Sequence, residues 1–259
     1  PAITCPTPSA LVTSNPSTTS IDLGWTENGT ATEWQIEYGP VGFTQGLGTF
    51  LSVTTNPPFT IPLLTPNNSY DFYVRSICSV GDTSMWSSNI QGTTLCLPST
   101  LPFTEDFTSL SFPMCWSQTY SGALTSNRWS VGSDNEAGGT GNEMVCTWQN
   151  AIGISRLITP GIDFGTNTSA TMSFKHFYSD YDPGVTLKIQ SSTDLTTWTD
   201  QPYSIIGGTG DVGPETATLT LTVPTGVNYI AFVVDGNHFN INYWYIDDVT
   251  ITSSTPVCA

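Results

Sequence analysis

The chain has 259 residues, 21 of them Asp or Glu and only 5 Lys or Arg, giving a formal net charge of −16. Arg75, Arg128, Arg156, Lys175 and Lys188 are too few and too scattered to neutralise a phosphate backbone, which excludes nucleic acid as a natural partner, and an anionic bilayer would repel the chain for the same reason. With 38% hydrophobic and 10% charged residues, and Thr, Ser, Gly, Pro and Asn filling most of the remainder, the composition is that of an all-β protein long enough for two cores.

Short alternating strands are predicted from the N-terminus to about residue 95. Ile21, Leu23 and Trp25 alternate, as do Trp34, Ile36 and Tyr38, and then Tyr70, Phe72 and Val74; Asn-Gly, Gly-Pro, Pro-Pro and Pro-Asn-Asn turns stand between them. About seven strands at this spacing predict a β-sandwich, and no amphipathic helix is expected. Trp25, the run from Trp34 to Tyr38, the run from Leu64 to Tyr70, the strand from Asp71 to Arg75 and the Ser84-Met85-Trp86 segment together resemble fibronectin type III domains. The resemblance implies a sandwich over residues 1–95 with a tyrosine corner at Tyr70. A charge-free stretch rich in Pro, Ser and Thr follows and is read as a linker over residues 96–102.

From Phe103 the strands become longer and the loops larger. Strands are predicted at Arg156 to Ile158, Ala170 to Tyr178, Val185 to Ser191, Glu215 to Val223, Tyr229 to Asp235 and Trp244 to Thr252, a spacing that suggests a jelly-roll sandwich over residues 103–259 whose loops carry function. Several segments carry a second resemblance, in chain order: Phe103 to Phe107, Phe112 to Trp116, Trp129, Arg156 to Pro160, Ser173 to His176, Leu187 to Trp198 and Trp244 to Val249. They are similar to the jelly-roll family that includes the MAM domains and the cleaved-adhesin domains of bacterial surface proteins. That resemblance implies adhesion to protein or glycan, first and last strands lying close together, and calcium as a structural ion. No run is long and apolar enough to span a membrane, so direct membrane insertion is not expected. Without the charged and apolar regions of a signal peptide, the chain reads as a mature product or an excised piece.

The acidic residues supply the candidate chemistry. In the run from Tyr243 to Ile251, strand alternation places Tyr243, Tyr245, Asp247, Val249 and Ile251 on one face, so Asp247 stands in an apolar row. A carboxylate there needs a proton, hydrogen-bond donors, a base or a metal ion. Most acids of this chain have no base of their own, and calcium suits oxygen ligands. Glu105 and Asp106 at the first strand, Asp134 and Glu136 in a Gly-rich loop with Asn142 and Glu143 nearby, and Asp247 and Asp248 in the last strand are the candidate calcium ligands. Alternatively, Asp247 accepts from loop amides and Asp248 is solvated. A second acidic loop, Tyr178 to Gly184, is either the rim of a sugar site or an ordinary Pro-Gly turn. The two histidines, His176 and His238, accompany no GxSxG elbow, and catalysis is not expected.

Six cysteines with no CxxC pair point to structural disulfides and an oxidising, extracellular compartment. Cys5 and Cys78 are placed to clamp the first sandwich, and Cys115 pairs with Cys96 or with Cys146 at the start of the second. Cys258 either ties down the C-terminus or, since its surroundings echo those of Cys5, opens the next module of an array. The chain is therefore read as a non-catalytic, extracellular recognition module of a bacterial surface adhesin, with a host or neighbouring-cell protein or glycan, or adjacent copies, as partners. A filament subunit and an accessory carbohydrate-binding region of a secreted hydrolase are the other readings. A glycan-binding surface requires exposed aromatic rings in one place, and Trp116, Trp148 and Trp198 are the residues that decide.

Overall fold

The structure, a computed structural model, describes residues 5–139 and 141–254. It divides into two compact units, one ending at Leu97 and the other starting at Pro98. Among the described residues the only helical element is a 3-10 turn at His238–Asn240.

The first unit contains β1 (Ser9–Ser14), β2 (Ile21–Thr26), β3 (Glu33–Pro40), β4 (Thr49–Val53), β5 (Phe59–Ile61), β6 (Ser69–Ser79), β7 (Asp82–Thr83) and β8 (Ile90–Thr93). One sheet runs β1-β2-β5; the other runs β4-β3-β6-β7, with β8 also on β6. The predicted alternation is what closes the sandwich. Ile21, Leu23, Trp34, Ile36, Phe72 and Val74 all point inward and are almost completely buried in one cluster. The Tyr70 hydroxyl accepts the Thr65 N–H at 2.8 Å, so the expected tyrosine corner is present. A disulfide joins Cys5 to Cys78.

The second unit contains β9 (Ser99–Thr100), β10 (Phe103–Glu105), β11 (Ser117–Gly122), β12 (Trp129–Gly132), β13 (Glu143–Thr147), β14 (Ile152–Ile158), β15 (Ile162–Asp163), β16 (Ser169–Asp180), β17 (Val185–Ser192), β18 (Thr199–Ile206), β19 (Val212–Thr222), β20 (Val227–Asn237) and β21 (Ile241–Ser253). A six-stranded sheet runs β12-β13-β21-β16-β19, with β10 also on β21. A seven-stranded sheet contains β11-β14-β20-β15-β9, and β17 pairs with β20 and carries β18. Phe174, Phe232, Trp129, Trp244, Leu187 and Ile189 belong to the single large apolar cluster of this unit. The segment read as a linker is corrected in part: Ser99–Thr100 pairs in parallel with Ile162–Asp163, a contact too short to leave a periodic signal.

The last strand departs from simple alternation. Tyr243, Tyr245 and Asp247 lie on the face away from the core, while Trp244, Ile246, Val249 and Ile251 lie in the core. The switch falls at Asp248, whose φ of 48° sits at a register irregularity opposite the Ser173 to Lys175 stretch of β16. One extra residue in the left-handed region turns the chain over, as a β-bulge does. Asp247 therefore does not share its face with Val249 and Ile251, and the single apolar row expected from the sequence is corrected.

Candidate ligand-binding surface

At one end of the second unit three chain segments are zipped together by main-chain bonds. The Gln149 N–H donates to the His238 carbonyl at 3.3 Å, and the His238 N–H donates to the Ala151 carbonyl at 2.9 Å. On the other side, the Tyr181 and Asp182 N–H groups both donate to the Asn240 carbonyl at 3.3 Å, and the Asn240 side-chain amide donates to the Pro183 carbonyl. Asn237 opens the 3-10 turn between these anchors by accepting the Phe239 N–H. The effect is to fix Phe239 between Trp148 and Tyr181.

The three rings form one surface. Trp148 and Phe239 are 6.0 Å apart at 88°, and Tyr181 and Phe239 are 5.5 Å apart at 89°, both edge-to-face. Trp148 is 51% exposed, Tyr181 60% and Phe239 41%. Rings this large are normally withdrawn from water; two of them packed against Phe239 at the surface make a preformed apolar platform. Its supports are polar and local. Arg128 donates to the Trp148 carbonyl at 2.8 Å and to Thr147 Oγ1 at 2.6 Å. His238 is buried beneath the turn, donates from Nδ1 to the Gly236 carbonyl, and has its pKa lowered chiefly by that burial.

The acidic loop expected from the sequence divides its labour. Tyr178 is buried and its hydroxyl donates to Asp180 at 2.7 Å, with burial pushing its pKa well up. Asp180 also accepts the N–H groups of Gly208 and Gly210 and so ties down the loop between β18 and β19. Tyr181 and the loop tip, residues 182–184, remain exposed. Of the three tryptophans, Trp116 is buried and Trp198 is half-buried beneath the Arg156 guanidinium, whereas Trp148 is open. Phe239 was missed at the sequence level. The neighbouring turn residues Asn237 and Asn240 were the available signal, but neither discloses that the turn meets residues 148 and 181.

The candidate calcium ligands fall in two places. Glu105, Asp106 and Asp248 line one open pocket of about 420 Å³ between β10 and β21, where Glu105 pairs across from Val249. Asp134 and Glu136 lie on the loop that precedes β13. Glu143, fully buried, holds that loop with one carboxylate oxygen on the Glu136 N–H and the other on the Ala137 N–H, both at 2.8 Å; burial raises its pKa, and those two bonds lower it less. Asp247, 1% exposed, lies against Gly139 of the same loop. All these donors are oxygens, but among the described residues no three of His, Cys, Asp or Glu gather as a metal ion requires. Four of the candidate carboxylates already have protein donors. Glu105 accepts from the Phe107 N–H and Trp116 Nε1–H, Asp106 from Thr108, Asp247 from the Asp248 N–H, and Asp248 pairs with Lys175 at 2.8 Å.

The disulfide expectation needs one correction. Cys96 and Cys115 are disulfide-bonded, but Cys146 is a free thiol. It points into the core from β13, fully buried, and burial pushes its pKa up to about 12, so it is neither paired nor reactive. Cys258 lies outside the described residues.

Residues 6–93 match the fibronectin type III domain family. No curated protein matches the chain. Among solved structures, the K1 cleaved adhesin domain of Lys-gingipain from Porphyromonas gingivalis W83 is 15% identical at a TM-score of 0.44, covering 59% of this chain and 98% of that one. TmCBM61 in complex with β-1,4-galactotriose is 14% identical at 0.40, covering 57% and 94%. The FN5 domain of Drosophila Lar is 19% identical at 0.30, covering 34% and 94%. The chain is thus an all-β protein of two sandwiches, the first similar to fibronectin type III domains.

Proposed function

We propose that this chain is a non-catalytic, extracellular recognition module, and that it binds glycan on the platform of Trp148, Phe239 and Tyr181. The observation that carries the reading is the exposure of Phe239 with Trp148 and Tyr181 packed on either side of it, on a hydrogen-bonded frame. Sugar rings present flat C–H faces that pack on aromatic rings, and a rigid frame spares the ordering cost of closing around them. Disulfide-bonded cysteines support an oxidising compartment. Calcium belongs to this proposal as a structural ion at the edge between β10 and β21, where it would require Glu105, Asp106 and Asp248 to draw together from their present separate hydrogen bonds and Asp248 to give up Lys175.

Retention on immobilised neutral polysaccharides tests the platform. Trp148→Ala and Tyr181→Ala are each expected to weaken the binding shown by the unmodified chain roughly five- to thirtyfold, the effect of about 1–2 kcal/mol. A double variant that binds as well as the parent would overturn the reading.

A further inference from the structure

The outer face of the seven-stranded sheet holds a second constellation, remote in register from the platform. Opposed residues in antiparallel strands share a face, so the pairings define its rows. Arg156 of β14, Val233 of β20 and Lys188 of β17 form one row; Ile158, Ala231 and Gln190 form the next. Ile158, Ala231 and Val233 are almost completely buried although they point away from the main core, because Trp198, Tyr229 and the polar side chains cover them. Two of the five basic residues of a chain with net charge −16 thus stand in one row of one sheet face, on either side of Val233.

Their electrostatic situations differ. Lys188 is neutralised, with Asp235 at 2.9 Å and Asp200 at 3.6 Å. Arg156 makes no ion pair among the described residues. Its Nε–H donates to Gln190 Oε1 at 3.0 Å, and Gln190, itself buried, is held by donating to Asp200 at 2.7 Å. The guanidinium stacks on Trp198 with 5.1 Å between its central carbon and the ring centroid. Both the Nε edge and one flat face of the group are therefore committed, while the two terminal amino groups make no hydrogen bond among the described residues. Burial lowers the Arg156 pKa, opposed by Asp235 and Asp200, so the cation is partly desolvated without an anion of its own. A fork held in this manner matches two parallel bonds from a carboxylate.

We propose that this face binds a carboxylate-bearing sugar, a uronic acid residue, with Arg156 taking the carboxylate. Asp200 and Asp235 then stand beside it as acceptors for sugar hydroxyls, and Trp198 and Tyr229 flank it. A single carboxylate suits the site better than an acidic peptide, because a polyanion would meet the strongly acidic surface of the chain and the two aspartates as well. This site does not depend on the glycan platform.

The test is an NMR titration of the full chain with glucuronate and galacturonate, against glucose, galactose, acetate and a Glu-rich peptide. Saturable shifts at Arg156, Gln190 and Trp198 are expected with a uronate and not with the neutral sugars. Arg156→Gln should weaken uronate binding roughly tenfold or more, as expected for loss of a charged hydrogen-bond pair, and Arg156→Lys, which keeps charge and bulk, should weaken it too. Trp148→Ala should leave it unchanged. Absence of saturable binding by either uronate, parent-like binding by the folded Arg156→Lys protein, or equal binding of acetate would overturn the proposal, and tighter binding of the acidic peptide would replace it.

Discussion

Gly139 owes its identity to Asp247. A Cβ built on Gly139 would stand 1.5 Å from Asp247 Oδ2 and 2.3 Å from its carboxyl carbon, far inside any tolerable contact. The loop can therefore approach the buried carboxylate only with hydrogen in place of a side chain. Gly139→Ala is expected to cost about 1–3 kcal/mol, as overpacking does, and to lower the melting temperature of the second unit by about 3–10 °C in calorimetry. An unchanged transition would mean that the loop sits away from Asp247 in solution. Asp247 is buried as expected, but not in the apolar row that suggested it, because the bulge at Asp248 puts Val249 and Ile251 on the other face. That Gly139, 108 residues earlier in the chain, makes room for it was not legible, because nothing local in Gly138-Gly139 distinguishes a packing glycine from a turn glycine. Cys146 shows the same limit: a cysteine count suggests pairing, whereas its place between Trp129 and Trp244 across the sheet decides against it.

At the scale of the element, the last strand turns on Asp248. With φ at 48°, the residue occupies a region that Asp and Gly tolerate and β-branched residues do not. Asp248→Gly should stay within about 0.5 kcal/mol of the parent, since it relieves backbone strain while giving up a surface ion pair to Lys175, and Asp248→Val should cost about 1–2 kcal/mol more. Urea denaturation of both variants measures the difference; equal stability would show that the bulge is not fixed by this residue. The strands β2, β3, β6, β16, β17, β19, β20 and β21 were all legible, because each carries a run of buried apolar side chains long enough to stand out from the turns around it. The strands β11, β12, β13 and β18 were not. β11 is mostly exposed and β13 is buried on almost every residue, so neither produces a period of two.

For the whole molecule, the excess of acid over base makes a bound cation a question of stability as well as of geometry. If calcium occupies the β10–β21 edge, excess ion should raise the melting temperature of the second unit over its value in chelator, following RT ln(1 + [L]/Kd), and leave the first unit unmoved. Identical transitions in both conditions would remove calcium from the proposal. The order of two sandwiches was legible from turn spacing and motif order, while the site was legible only in pieces: Trp148 and Tyr181 were singled out separately, and their meeting through Phe239 depends on long-range strand pairing. The Cys5–Cys78 bridge has a mechanical consequence. Tension travelling along the chain passes from one sulfur to the other and bypasses the residues between them, a separation of 73 in sequence. Those strands bear no load, and roughly 260 Å of extensible chain stays locked until the bond is reduced, at up to about 3.6 Å per residue. A pull along the chain could therefore strip only β7 and β8 from the first sandwich while the bridge holds.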